Sequence, residues 1–231
     1  MNPALRIAKA VLPPAVGRWL RRQHRAFVFR QAMRRFVADP QLALDPRAGV
    51  LSALIYGWGN ESWSAREEYL AACLQHALKC QGPILECGSG LTTLLVGAIA
   101  QRSGNSLWSL EHHPEWRERV GACLEEYAIE AARICQAPLR DYGDFSWYDA
   151  PLDTLPRKVS LVICDGPPAD TPGGRYGLVP VMAERLQPGC VVLLDDAART
   201  HEHAIAIRWA RELDRQYEML GVEKPYARIA I

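Results

Sequence analysis

Five carboxylates close four apolar runs in this chain of 231 residues. Ile84-Leu85 runs into Glu86, Ser106–Leu110 into Glu111, Val159–Cys164 into Asp165, and Cys190–Leu194 into Asp195 and Asp196. Near-continuous apolar runs of this kind suit strands of a parallel sheet that is buried on both faces. In open α/β sheets, ligands collect beyond the carboxyl ends of such strands. The sheet therefore brings Glu86, Glu111, Asp165, Asp195 and Asp196 to one rim, and so much negative charge in one place calls for bound cations.

A glycine turn follows the first of these acids. Glu86 leads through Cys87 into Gly88-Ser89-Gly90, and Leu91–Ala100 then reads as a helix. Glycines let the backbone approach a ligand closely, and a helix N-terminus offers free N–H groups, so the segment predicts a nucleotide cradle. The acid decides between nucleotides. A dinucleotide fingerprint wants Gly or Ala where Thr93 stands. It would also seat a pyrophosphate beside Glu86, a repulsion on the order of several kcal/mol at ~4 Å. A ligand with an ammonium group is attracted instead, which favours S-adenosylmethionine over NAD. Glu111 closes the next strand at the spacing of a ribose-diol grip and fits either cofactor. The cofactor-binding candidates are Glu86, Gly88, Ser89, Gly90, Thr92, Glu111, His112, Asp165 and Ser64.

On these residues the chain resembles the class I S-adenosylmethionine-dependent methyltransferases over roughly Ser64 to Ile231. Within that superfamily it is similar to the branch of catechol O-methyltransferase and the antibiotic-pathway O-methyltransferases. Glu86–Thr93 corresponds to the glycine-rich cofactor loop and Glu111 to the ribose-binding acid. In that branch an aspartate after the fourth strand and an Asp-Asn pair after the fifth hold magnesium, and Asp165, Asp195 and Asp196 fall on those positions. The second residue of the pair is Asp here, and no lysine stands among Gly166, Pro167, Pro168 and Ala169, where the branch keeps its base. The resemblance implies methyl transfer to a small-molecule or sugar-like hydroxyl, assisted by Mg2+ on Asp165, Asp195 and Asp196. The catalytic candidates are Asp165, Asp196 and His201, with His201 or His203 as base where no metal serves. The rival readings are an NAD-dependent oxidoreductase, an aminopropyl-transferring enzyme on the same fold, and a cofactor-binding scaffold without catalysis.

The elements needed to position these residues follow from periodicity. Helices are expected over 65–79 (Ser64 as N-cap), 91–100, 115–127, 178–186 and 200–215, and further strands over 132–137, 217–222 and 225–231. The strand-turn-strand ending matches the superfamily's antiparallel last strand, and the resemblance thus implies a Rossmann-like, doubly wound, mostly parallel seven-stranded sheet with an antiparallel last strand. Asp141–Asp149 reads as a surface loop or short hairpin, and Thr171–Gly177 as a loop over the rim whose Arg175 and Tyr176 either reach the acceptor or tie the loop down. Gly57–Trp63 reads as an aromatic, glycine-punctuated loop; the resemblance implies that Trp58, Asn60, Trp63 and Ser64 cover the methionine end of the cofactor and part of the acceptor pocket, and that Pro138-Leu139 falls where the family contacts adenine.

Charge divides the chain. Residues 1–38 hold nine of the 27 Lys/Arg and no acid, which leaves 18 basic against 26 acidic residues in the remainder, a balance of −8. Segment 16–37 reads as a helix with Trp19, Ala26, Phe29, Met33 and Phe36 at helical spacing, interrupted by Arg22. We expect residues 1–46 to form a basic helical extension with a linker over Asp39–Pro46, and residues 47–231 to form the methyltransferase domain. The helix has several open uses: packing on the acidic body, peripheral contact with anionic lipid, docking on a partner chain or a second copy, or organelle targeting. The expected partner is a small-molecule acceptor and not nucleic acid, because no basic patch lies within the domain. No apolar run spans a bilayer, and the seven cysteines sit mainly in apolar segments, which predicts reduced thiols and a cytoplasmic protein.

Overall fold

The computed structural model describes residues 13–60 and 65–231. Seven strands form one sheet: β1 (Ile84–Cys87), β2 (Leu107–Glu111), β3 (Ala132–Gln136), β6 (Val159–Cys164), β7 (Leu186–Leu194), β8 (Tyr217–Leu220) and β9 (Tyr226–Ala230). Their spatial order is β3-β2-β1-β6-β7-β9-β8. The first five are parallel, and β9 runs antiparallel between β7 and β8. This is the mostly parallel, Rossmann-like sheet with an antiparallel last strand that the sequence predicts. The strand order reverses at β1, the switch point beyond which such sheets hold their ligands.

Side-chain alternation sorts the sheet into two faces. Ile84, Leu161, Ile163 and Leu193 join one apolar cluster, whereas Leu85, Val162, Cys164, Val192 and Leu194 join the other. The first face is covered by α1 (Pro14–Ala38), α2 (Gly49–Trp58), α3 (Glu67–Lys79), α4 (Leu91–Arg102) and α5 (Pro114–Glu126). The second is covered by α6 (Leu178–Met182), α7 (Thr200–Glu212) and the hairpin β4 (Leu139–Asp141)–β5 (Ser146–Tyr148). Trp147 and Tyr148 in that hairpin are fully buried, so the segment expected at the surface is half core.

The basic N-terminal helix is integral to this packing. Phe29, Ala32, Met33 and Phe36 of α1 are buried in the same cluster as α2, α3 and α4. The closest approach is at Gly57, where a Cβ would lie 2.7 Å from Phe29 Cβ and 2.8 Å from its Cα, so only glycine admits the contact. Asp39–Pro46 is not a bare linker. Pro40–Ala43 forms a 3-10 turn capped by the Asp39 carboxylate, and Pro40 and Ala43 are buried. Gly57 and Trp58 end helix α2 instead of forming a loop, and Gly59 takes the left-handed C-cap conformation. The N-cap of α3 is Arg66, not Ser64, with Glu67 and Glu68 in the first turn. Ser64 and Trp63 lie outside the described residues. The helix expected over 178–186 is shorter, because Leu186 already belongs to β7. Among the described residues, no helix is long and apolar enough to cross a membrane.

Candidate active site

The carboxyl ends of β1, β2, β6 and β7 bring the five acids to one rim. Glu86 is the most constrained. Its side chain is 1% exposed, Oε2 accepts a 2.6 Å bond from Thr93 Oγ1, and Oε1 is buried with no hydrogen-bond partner among the described residues. Thr93 Oγ1 in turn accepts from the Gly90 N–H at 2.8 Å, so one hydroxyl locks the acid to the loop. Burial pushes the Glu86 carboxyl up to about 8, partly offset by the Thr93 bond. An orphaned acceptor in this position is expensive unless a ligand completes it. Sequence reasoning used Thr93 only as a departure from the dinucleotide pattern and missed its role in holding Glu86.

The loop itself is shaped by close backbone approach. Gly88 has φ +90°, and a Cβ there would lie 3.2 Å from the Gly166 nitrogen, at the end of β6. Ser89 donates from its N–H (3.0 Å) and hydroxyl (2.8 Å) to Glu111 Oε2, while Glu111 Oε1 accepts from the His113 N–H at 2.8 Å and lies 3.3 Å from His112 Nδ1. Burial alone would raise the Glu111 pKa, but the bonds from His112, His113 and Ser89 outweigh it and hold the carboxyl below its ordinary value. Glu111 is therefore ionised and fixed at the strand end. Trp116 Nε1 donates to the Ser89 carbonyl at 2.6 Å and braces the loop from α5. Thr92 is buried in the first turn of α4.

Asp165, Asp195 and Asp196 offer carboxylate oxygens within 4.8 Å of one another, as the resemblance implies. They are already neutralised from within the chain. Arg175 Nη2 lies 3.0 Å from Asp165 Oδ1 and 3.1 Å from Asp196 Oδ2, and its Nη1 donates to the Asp195 carbonyl at 2.7 Å. Lys224 Nζ reaches Asp195 Oδ2 at 2.8 Å and Asp196 Oδ1 at 2.9 Å, and Arg199 lies 3.0 Å from Asp196. In the structure the charge of these three carboxylates is met by two arginines and a lysine. Asp196 adopts a left-handed backbone (φ 58°) that turns its carboxylate into this network. Burial would raise its pKa, but Lys224, Arg175 and Arg199 lower it. For Arg175 and Lys224, burial favours loss of the proton, yet the surrounding aspartates keep both firmly cationic. Asp165 differs from its neighbours. Its side chain is 25% exposed against 0% and 7% for Asp195 and Asp196, and burial with the nearby Asp195 charge pushes it up to about 7.

Arg175 therefore ties down the rim loop, Gly174–Gly177 of which forms a buried 3-10 turn. Lys224, in the turn between β8 and β9, is 29 residues from Asp195 in the chain and carried no local signal. His201 is exposed in the first turn of α7, and its ring lies under Gly174, where a Cβ would come within 2.7 Å of Cε1. His203 Nε2 is 3.0 Å from Tyr217 OH.

Residues 85–197 match the family model for a methyltransferase domain. Solved structures share the fold. The precorrin-6Y C5,15-methyltransferase of Geobacter metallireducens superimposes with a TM-score of 0.55 at 15% identity, covering 74% of this chain and 91% of that one. The S-adenosylhomocysteine-bound methyltransferase PaMTH1 of Podospora anserina gives 0.54 at 16% identity, over 82% and 86%. A candidate caffeoyl-CoA O-methyltransferase of Staphylococcus aureus gives 0.54 at 12%, over 70% and 82%. No curated protein sequence matches the chain. Sheet order, glycine loop and strand-end acids define the class I methyltransferase architecture. Residues 85–197 thus match a methyltransferase domain, set in the Rossmann-like fold of the solved methyltransferases.

Proposed function

We propose that the chain methylates a hydroxyl of a small-molecule or sugar-like acceptor and does so without a divalent ion. The observation that carries the cofactor part is Glu86 Oε1, a buried carboxylate oxygen beside the glycine loop with no partner among the described residues, which suits the ammonium of S-adenosylmethionine. Glu111, fixed by Ser89 and His113, is placed for the ribose hydroxyls, and the Gly88–Gly90 turn admits the cofactor backbone-close. Gly88, Ser89, Gly90, Thr92 and His112 complete that set. Ser64 lies outside the described residues and keeps only its sequence-based assignment.

The cofactor supplies a methyl group on a positively charged sulfur. The acceptor oxygen forms its bond to that carbon as the carbon–sulfur bond breaks, so alignment of the two reactants provides much of the acceleration. The acceptor proton must go to a base. Asp165 is our candidate, because its carboxylate is the exposed member of the triad and sits beside the cofactor loop. Arg175 and Lys224 hold Asp195 and Asp196 and keep the rim from repelling an anionic oxygen. His201 is the second candidate base, on the far side of the rim loop.

A methyl-donor consumption assay across hydroxyl acceptors, run with and without chelator, tests the reading. Turnover that survives chelator and falls at least 100-fold in Asp165→Asn supports it. Turnover that needs added Mg2+, or donor binding with no turnover on any acceptor, replaces it with the metal-assisted or the scaffold reading. Cytoplasmic location and a peripheral or oligomeric role for α1 are part of the same proposal.

A further inference from the structure

The cleft between α1 and the end of α2 carries an inference beyond methyl transfer. It has a volume of about 740 Å3 and is lined by Arg18, Arg21, Arg22 and Arg25 of α1, by Trp58 at the end of α2, and by Arg119 of α5. Among the described residues that line it, five are arginines and none is acidic. Arg18, Arg22 and Arg25 continue, at helical spacing, the stripe that buries Phe29, Ala32 and Phe36 further along the same helix. The stripe changes from apolar to cationic where α1 passes from the core to the cleft. No carboxylate among the described residues pairs with Arg18, Arg21 or Arg22. Like charges three and four residues apart repel along a helix, so an anion placed beside Arg18, Arg21 and Arg22 stabilises them.

The floor of the cleft is organised. Arg119 stacks on both Trp58 (4.8 Å) and Trp116 (4.6 Å) and donates to the Trp58 carbonyl at 3.0 Å. Its position is thus fixed before any ligand arrives. Trp116 in turn bonds the Ser89 carbonyl of the cofactor loop. The cleft is therefore one tryptophan away from the methyl-donor site. A guanidinium presents a planar fork of donors that matches phosphate oxygens two at a time, and an exclusive use of arginine over lysine suits that geometry. The volume falls in the range of small-molecule sites.

The geometry points to a binding site for a small molecule bearing a diphosphate or clustered phosphates, held by Arg18, Arg21, Arg22 and Arg119 next to the cofactor loop. The inference does not depend on the methyl acceptor or on the absence of metal.

Calorimetric titration of the full chain with inorganic diphosphate tests it, alongside orthophosphate, a single-stranded RNA oligomer and vesicles containing anionic lipid. The expected result is saturable one-to-one binding of diphosphate that is tighter than that of orthophosphate and weakens as salt rises. Arg18→Gln/Arg22→Gln should weaken it at least tenfold with an unchanged circular dichroism spectrum and Tm. Should that variant misfold, Arg18→Lys/Arg22→Lys keeps the charge, loses the planar fork, and is expected to bind several-fold more weakly. Absence of saturable diphosphate binding, equal affinity in the variants, or binding of RNA or vesicles alone overturns the proposal. A parallel titration with S-adenosylmethionine separates failure of this cleft from failure of the cofactor site.

Discussion

At the scale of single residues, Glu86 and Thr93 form the unit on which the proposed choice of cofactor rests. Thr93 donates to Glu86 and accepts from Gly90, so Thr93→Val leaves a buried carboxylate oxygen and a loop N–H unpaired. Stability should fall by ~1–3 kcal/mol, read as a lower midpoint in denaturant. The Glu86 carboxyl, raised to about 8 by burial, makes both stability and affinity depend on pH. Between the ordinary carboxylate range and about 8, the folded protein holds a proton that the unfolded chain has released, so this group's contribution to stability is lost as pH rises through that window. An ammonium ligand needs the ionised acid. Affinity for S-adenosylmethionine should therefore drop as pH falls below about 8, towards tenfold per pH unit, measured by calorimetry from pH 6 to 9. A flat profile would remove Glu86 from the site. The sequence made Glu86 and Glu111 legible because a carboxylate that ends an apolar run announces itself. The Glu86–Thr93 bond was not legible, since it depends on the pitch of the turn between them.

At the scale of elements, the sheet could be read from its apolar runs, whereas the helices that cover it were read only in part. The Val159–Cys164 and Cys190–Leu194 runs fix their own burial, and the strand-turn-strand ending after Arg215 leaves few topologies open. Helix α2 escaped prediction because Gly57 and Gly59 look like loop residues. The close approach of Phe29 explains the first glycine and the helix C-cap explains the second. The same contact places α1 against the body of the domain, one of the uses that the sequence leaves open for it. Phe36 of α1 is fully buried, so Phe36→Ala should cost ~3–5 kcal/mol, as a core residue does. A Tm within a degree or two of wild type would mean that α1 docks only loosely. The Asp39–Pro46 segment read as a linker because proline and aspartate dominate local pattern, but they also build a capped 3-10 turn.

At the scale of the whole molecule, the account concerns where the charge goes. The sequence predicts five acids on one rim and a basic N-terminal segment, and it calls for bound cations at the rim. In the structure Arg199, three residues after Asp196, is joined there by Arg175 of the Gly173–Gly177 loop and Lys224 of the β8–β9 turn, two positions that spacing does not reveal. Chelator should consequently leave cofactor affinity and Tm unchanged, and added Mg2+ should not raise either. Lys224→Met should leave Asp195 fully buried without its partner and cost ~3–5 kcal/mol in denaturant stability. If Mg2+ restored that loss, the triad would be a metal site after all. Five further arginines line the α1 cleft, which Trp116 links to the Gly88–Gly90 loop.

The most direct measurement is calorimetric titration of the wild type and Glu86→Gln with S-adenosylmethionine and with NAD. The wild type should bind the sulfonium cofactor and show no saturable heat with NAD. Glu86→Gln should lose about 30-fold or more of the methyl-donor affinity, about 2 kcal/mol for a charged hydrogen bond. Undiminished binding of the methyl donor by Glu86→Gln, with NAD held tightly by the wild type, would contradict the assignment of the buried carboxylate to an ammonium group.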